Sequence, residues 1–256
     1  MTFKIIICIL AGLGAGLGTG FAGMSAAAVI APMLITFLDM DAYSAIGISL
    51  ASDVLASAIS SVTYAKNKNI DIKNGLVMMI CVLAFTVVGS YVASLVSHSV
   101  MGGFSTVLTV VLGLKFIIKP VVTTKEKMNG ISKSRQVIQS IICGVIVGFI
   151  CGFVGAGGGM MMLILLTSVM GYELKTAVGT SVFIMTFTAL TGAVSHFVID
   201  GMPDWTALLT CALSTLVFAF AASKIANKAK PTVLNRIVGV LLFVLGVAIL
   251  IVNYVL

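Results

Sequence analysis

Gly155-Ala156-Gly157-Gly158-Gly159 lies inside an otherwise apolar run, and it is the stretch best suited to hold a ligand without side chains. A helix opening after such glycines presents unpaired backbone N–H groups and the positive end of its dipole, which suits an anion. Broken backbone at membrane depth is tolerated only where protein or a water-filled cavity satisfies it, so the run marks a site. The competing reading is close helix packing of the GxxxG kind. Gly16/Gly20 and Gly148/Gly152 have that four-residue spacing, whereas three consecutive glycines depart from it. Gly155, Gly157, Gly158 and Gly159 are therefore candidate substrate-binding residues, with Ser25 and Ala26 at the equivalent turn of the first half.

Hydroxyls and ionisable groups extend the set. Gly47-Ile48-Ser49 and Gly179-Thr180-Ser181 put Ser49, Thr180 and Ser181 at the start of helices, where they cap or contact an oxyanion. Asp53 sits mid-span among Ser49, Ser52, Ser57 and Ser60. A carboxylate at that depth costs about 2.5–3.5 kcal/mol to insert and must face protein or water. Its readings are proton or sodium coupling, or a structural hydrogen bond to a neighbouring serine. His196 and its counterpart Tyr64 are candidates for gating or coupling, with interfacial anchoring as the plainer reading of a lone histidine. The five cysteines lie in apolar runs without metal-ligand spacing and read as small buried hydrophobes. No cofactor or metal is expected.

The elements that must position these residues come in two copies. Gly16, Gly20, Phe21, Gly23 and Leu34 recur 132 residues later as Gly148, Gly152, Phe153, Gly155 and Leu166, and Ala45 to Ser49 recurs as Ala177 to Ser181. The loops change sign: Lys66, Lys68 and Lys73 become Val198, Asp200 and Trp205. A repeat whose loops swap charge is what two halves inserted in opposite orientation would carry.

Of the 256 residues, 60% are hydrophobic and 9% charged, with a mean hydropathy of +1.21, so the chain belongs in a bilayer throughout. The net charge of +7 is topology bias and some attraction to anionic lipid, and nucleic acid is not an expected partner. Apolar runs cover 3–38, 44–64, 75–97, 99–118, 138–170, 176–198, 205–223 and 237–255. The first and fifth are too long for one crossing, since about 35 residues reach about 50 Å. If every run crossed once, the 15 Lys and Arg would divide 10 against 5. If both long runs are hairpins broken at their glycines, the division is 14 against 1, with Lys4 alone on the far side. The expected fold is thus an all-α integral membrane protein of two inverted-topology repeats, each a Gly-broken helical hairpin plus three transmembrane helices. The first repeat is 1–118, a basic cytoplasmic linker is 119–137, and the second repeat is 138–256. Loops 66–73, 115–135 and 224–236 face the cytoplasm.

On these residues the chain resembles the sulfite exporter TauE/SafE family of membrane permeases. The likeness rests on Gly148-Phe149-Ile150-Cys151-Gly152-Phe153-Val154-Gly155-Ala156-Gly157-Gly158-Gly159, on the duplicated Ala-x-Gly-x-Ser elements, and on His196 through Gly201 to Asp204-Trp205. It runs from about residue 10 to the end. The resemblance implies transport of small anions, sulfur-containing oxyanions such as sulfite or organosulfonates, across the cell membrane. Ser25-Ala26-Ala27 in place of the first turn's glycines, and Tyr64 where the first repeat often carries histidine, depart from the family pattern.

The expected function is a secondary permease working by alternating access, with the small anion and the lipid bilayer as partners; homo-oligomerisation is left open. There is no GxxxxGK[ST] loop, so a gradient must drive it. A passive anion channel is the alternative. An intramembrane enzyme using Ser181 or Ser195 with His196 is disfavoured, because Ser181 lies fifteen residues from the histidine and Ser195 diverges from it on a helix.

Overall fold

The structure, a computed structural model, describes residues 2–93, 110–111, 114–115, 117–119, 132–154, 158–200 and 203–254. Long apolar runs cannot leave backbone polar groups unpaired in lipid, and a helix pairs them locally. Among the described residues there is no strand, and nine helices are named. In chain order they are α1 (Thr2–Ala22), α2 (Ala27–Leu38), α3 (Ala42–Lys66), α4 (Ile72–Ala93), α5 (Lys133–Val154), α6 (Gly158–Ser168), α7 (Leu174–Asp200), α8 (Trp205–Lys228) and α9 (Pro231–Tyr254). Five of these, α1, α3, α5, α7 and α8, are long and apolar enough to cross a membrane by length and composition.

Both over-long runs are broken. The first splits at Gly23, whose φ of +62° is open to glycine at little cost, and it resumes at Ala27. The second splits between α5 and α6; Gly155, Ala156 and Gly157 lie outside the described residues. Each break joins a long arm to a short one. With 12 and 11 residues, α2 and α6 reach only about 16–18 Å at 1.5 Å per residue, well short of a hydrocarbon core of about 30 Å. Most of run 99–118 and of the basic linker lies outside the described residues. One boundary moves: α5 starts at Lys133, so the linker's last residues form the first turn of the second half.

Packing is set by glycine. Along one face of α1, Gly12, Gly16 and Gly20 meet α8, where added Cβ atoms would fall 2.6 Å from Ser214 Cβ, 2.7 Å from the Thr215 carbonyl oxygen and 2.5 Å from Ala222 Cβ. Gly144 and Gly148, their repeat equivalents on α5, meet α4 in the same way, at 2.7 Å from Cys81 Cβ and 2.6 Å from the Val82 carbonyl oxygen. Backbone against backbone at this range is the small-residue contact that replaces hydrophobic drive in a membrane. So the packing reading of Gly16 and Gly148 is the one the fold adopts.

Between these pairs, α3 and α7 cross antiparallel. Gly47 near the start of α3 abuts His196 and Phe197 near the end of α7, Leu50 abuts Gly192, and Tyr64 near the end of α3 abuts Gly179 near the start of α7. Packing partners exchange between halves: α1 lies on α8 as α5 lies on α4, and α8 touches α3 as α4 touches α7.

The two ends differ in charge. Lys4 pairs with Asp204, the residue that caps α8 by accepting from the Ala207 N–H at 3.0 Å. That pairing, with the Lys4 hydrogen bond foremost, holds the Asp204 carboxyl below the usual carboxylate range. At the opposite end loop 67–71, the segment 172–175 and the end of α8 meet: Asn69 donates to Asn227 at 2.7 Å and Lys175 to the Asn227 carbonyl at 2.8 Å. Lys115 reaches Ser168 at this end as well. Exposed apolar side chains such as Val87, Ile80, Leu213, Val217 and Val198 coat the outside, as a lipid-facing surface requires.

Gly16→Leu and Gly148→Leu each force backbone apart and are expected to cost at least about 1–3 kcal/mol, read as a lower melting temperature of the purified protein in detergent. Gly14→Leu, on the α1 face that lines an open groove, is the control. Equal loss in all three would rule out the glycine stripe as the contact that matters.

Candidate functional site

The break in the first half is held together by hydroxyls. With no helical partner for the last carbonyls of α1, Tyr64 Oη donates to the Gly20 oxygen at 2.9 Å, Ser181 Oγ to the Gly23 oxygen at 3.0 Å and Thr19 Oγ1 to the Met24 oxygen at 3.0 Å. All three side chains are buried, so each supplies what water would otherwise have to. Tyr64 is therefore a strut under the break.

On the other side of the break α2 begins, and its free donors face a carboxylate. Asp53, fully buried on α3, accepts from Ser25 Oγ at 2.7 Å and from Ser57 Oγ at 2.8 Å, with the Ala26 backbone N–H as a further partner. Ser25 Oγ also accepts from the Ala27 N–H at 3.3 Å. Ser25 and Ala26 thus hold an oxyanion, and it is the chain's own.

The second break touches the first. A Cβ on Gly159 would lie 2.7 Å from the Gly23 oxygen and 2.9 Å from the Ser25 nitrogen, so no other residue fits without displacing backbone. Ser181 bridges the two, its Oγ also 3.5 Å from the Gly159 oxygen. Where Asp53 stands over the start of α2, its repeat equivalent Met185 stands over the start of α6, with Sδ 2.6 Å from the position a Gly159 Cβ would take. At equivalent positions over the two helix starts, then, one residue is a carboxylate and the other an uncharged thioether. Gly158 packs on the Cys151 thiol; Gly155 and Gly157 lie outside the described residues.

Other candidate residues sit elsewhere. Ser49 and Ser181 are each the eighth residue of their helix, two turns in, so neither caps its own helix start. Ser49 returns its hydroxyl to the Ala45 and Ile46 carbonyls, the second at 3.0 Å. Thr180 Oγ1 accepts from the Asp71 N–H at 3.0 Å and so braces the start of α4. His196 is half-buried against Gly47. Fifteen residues of helix, about 22 Å, separate it from Ser181, so no serine–histidine pair forms there.

Sequence reasoning missed a partly buried polar knot at the basic end. Asp71 caps α4 by accepting from the Asn74 N–H at 3.1 Å, and its other oxygen accepts from Asn74 Nδ2 at 2.6 Å and from Tyr172 Oη at 2.7 Å. Burial first, then Asp71, pushes the Tyr172 hydroxyl up, so it stays a donor. The knot ties loop 67–71 of the first half to the turn before α7 in the second. Its one sequence signal was an Asp three residues before an Asn at a helix start. A separate groove of about 570 Å³ runs between α1 and α9, lined by Leu13, Gly14, Leu17, Ile237, Val240, Leu241, Val244 and Arg236, and it shares no residue with the breaks.

Residues 8–249 match the family model described as sulfite exporter TauE/SafE. The chain is 28% identical to the probable membrane transporter protein YunE of Bacillus subtilis, covering 79% of this chain and 81% of that protein. A probable membrane transporter protein of Haemophilus influenzae is 27% identical over 96% of this chain and 97% of its own length. A third, from Methanocaldococcus jannaschii, is 28% identical over 74% and 71%.

Ser181→Ala strands the buried Gly23 carbonyl and is expected to cost about 1–3 kcal/mol. Ser49→Ala removes only a bond back to its own helix and should change stability little. Thermal melts of the two variants in the same detergent separate these outcomes, and equal losses would mean that Ser181 does not hold the break.

Proposed function

Because the chain belongs to the sulfite exporter TauE/SafE family, we propose that this multi-pass membrane protein is a secondary permease for small oxyanions, sulfite, related sulfur oxyanions or organosulfonates being the class the family description points to. The observation that carries this reading is the meeting of two helix breaks inside the bundle, Gly23–Ala26 and the start of α6, with Ser181 hydrogen-bonded across them. Discontinuous helices whose N-terminal ends converge between structural repeats are where transporters bind charged substrate.

In this proposal the two halves are inverted copies. Antiparallel α3 and α7, the exchange of packing partners and the opposite charge of the two ends support it. The basic end faces the cytoplasm, by positive-inside bias. The anion binds at the breaks, held by backbone N–H groups of Gly155, Gly157, Gly158 and Gly159 and by Ser181, with Ser25 and Ala26 opposite. Thr180 and Ser49 act through the helices they brace. Alternating access comes from one half moving against the other, with the Asp71–Tyr172 knot and the Lys4–Asp204 pair as contacts at opposite ends that break in turn.

Reconstituted in liposomes, the protein should take up labelled sulfite, thiosulfate or a small sulfonate with saturation, and unlabelled anion inside should accelerate entry. Gly159→Val, which drives a side chain into the Gly23 carbonyl and Ser25 amide, should reduce that flux at least tenfold. Flux that never saturates and shows no countertransport would make the protein a channel, and no uptake of any anion would defeat the substrate class.

A further inference from the structure

Asp53 and the substrate have the same chemistry and, on the reading above, the same partners. The carboxylate occupies Ser25 Oγ, Ser57 Oγ and the Ala26 amide at the start of α2. Those are the donors an entering oxyanion would use, and two anions cannot share them without repulsion. We infer that Asp53 is a tethered competitor at the first break, so that the permease accepts an anion there only when Asp53 takes up a proton, and the two cross together. The inference rests on the proposed transport function and adds its coupling ion.

The step balances simply. A proton from water forms an O–H bond on one Asp53 oxygen, the side chain passes from −1 to neutral, and Ser25 and Ala26 are released to the substrate. A monovalent anion then restores the lost charge, so the loaded and empty sites carry the same total. On the far side the anion leaves, the proton returns to water, and the carboxylate falls back onto its serines. In the resting and the loaded states alike the helix start faces a negative partner, which is what its dipole favours.

Sodium fits less well than a proton. The carbonyls of the break that could coordinate a metal ion, Gly20, Gly23 and Met24, each already accept a side-chain hydroxyl. A hard cation would find the carboxylate and two serine hydroxyls, fewer oxygens than such ions take. Ser60, one turn beyond Ser57 on α3, is fully buried and its hydroxyl has no hydrogen-bond partner among the described residues, so it can receive or pass a proton between Asp53 and the basic end.

Among the described residues no charged side chain acts on Asp53. Against α3 lie α1, α2, α7 and α8. Lys4 of α1 pairs with Asp204, α2 carries no titratable residue, and Lys175 of α7 donates to the Asn227 carbonyl. On α8, Lys224 lies over the Phe220 ring, and the Cys211 thiol is turned to the Cys8 carbonyl of α1. His196 of α7 lies at Gly47, six residues from Asp53 along α3.

The test uses thiosulfate and a hydroxyethyl sulfonate, anions whose own charge is constant between pH 5 and 8. In proteoliposomes with equal pH on both sides, the wild-type KM should rise with pH, approaching tenfold per unit above its midpoint. An inward proton gradient should drive accumulation, and replacing potassium by sodium should change nothing. Asp53→Asn should flatten the pH dependence of KM and abolish accumulation while still exchanging labelled for unlabelled anion. Ser57→Ala, which removes one donor from the carboxylate, should move the midpoint of the KM profile to higher pH, and it serves if the asparagine variant does not fold. An Asp53→Asn protein that keeps the wild-type pH profile, or wild-type accumulation that follows sodium, overturns the inference and leaves the permease standing. Absence of saturable uptake by the wild type removes both.

Discussion

An unpaired backbone group inside a membrane has no water to turn to, and the architecture of this protein follows from how one such group of atoms is satisfied. Breaking the first long run at Gly23 frees the carbonyls that end α1 and the amides that begin α2. The carbonyls are met by Tyr64 from α3, Ser181 from α7 and Thr19 from α1 itself. The amides are met by Asp53 and Ser25. Five side chains from four segments converge on one turn of chain, and the helices that carry them have little freedom in how they cross. The break is thus a point that fixes the core.

Glycine makes that convergence geometrically affordable. The α1–α8 and α4–α5 pairs close to backbone contact along Gly12, Gly16, Gly20 and along Gly144, Gly148, and the α3–α7 crossing closes at Gly47 and Gly179. Gly12, Gly16 and Gly47 have their repeat counterparts in Gly144, Gly148 and Gly179. The duplicated glycines therefore act as a packing code that places two similar units face to face, while the residues at the breaks have been free to diverge. Asp53 and Met185 show the divergence most clearly: equivalent in position over α2 and α6, one brings a negative charge and the other a soft thioether.

The ends of the bundle are tied by different chemistry. At the acidic end an exposed ion pair joins Lys4 to Asp204, a contact that water competes for. At the basic end a half-buried aspartate shares hydrogen bonds with a buried tyrosine and a buried asparagine between halves. Buried, mutually satisfied polar groups hold a single arrangement far more strictly than a surface ion pair does, so in this structure the basic end is the more firmly fastened.

Much of this was legible in the residue string because membrane insertion depends on local properties. Run length against bilayer thickness and the spacing of small residues are each set by a few neighbouring residues, and they yielded the helical class, the broken long runs and the packing role of Gly16 and Gly148. Membership of a transporter family was legible as well, from the glycine-rich turn, the duplicated Ala-x-Gly-x-Ser elements and the stretch from His196 to Trp205. What lay beyond reach was which side chain fills which vacancy across 28, 44 or 158 residues of chain. Nothing near Asp53 in the chain pointed to Ser25, 28 residues away, as the partner the fold gives it. Ser49 looked equivalent to Ser181, and only the position of Gly23 beside α7 gave Ser181 a bridge and left Ser49 bonded to its own helix. The knot of Asp71, Asn74 and Tyr172 had almost no local signature, because a hydrogen bond between distant segments exists only once packing has brought them together and excluded water.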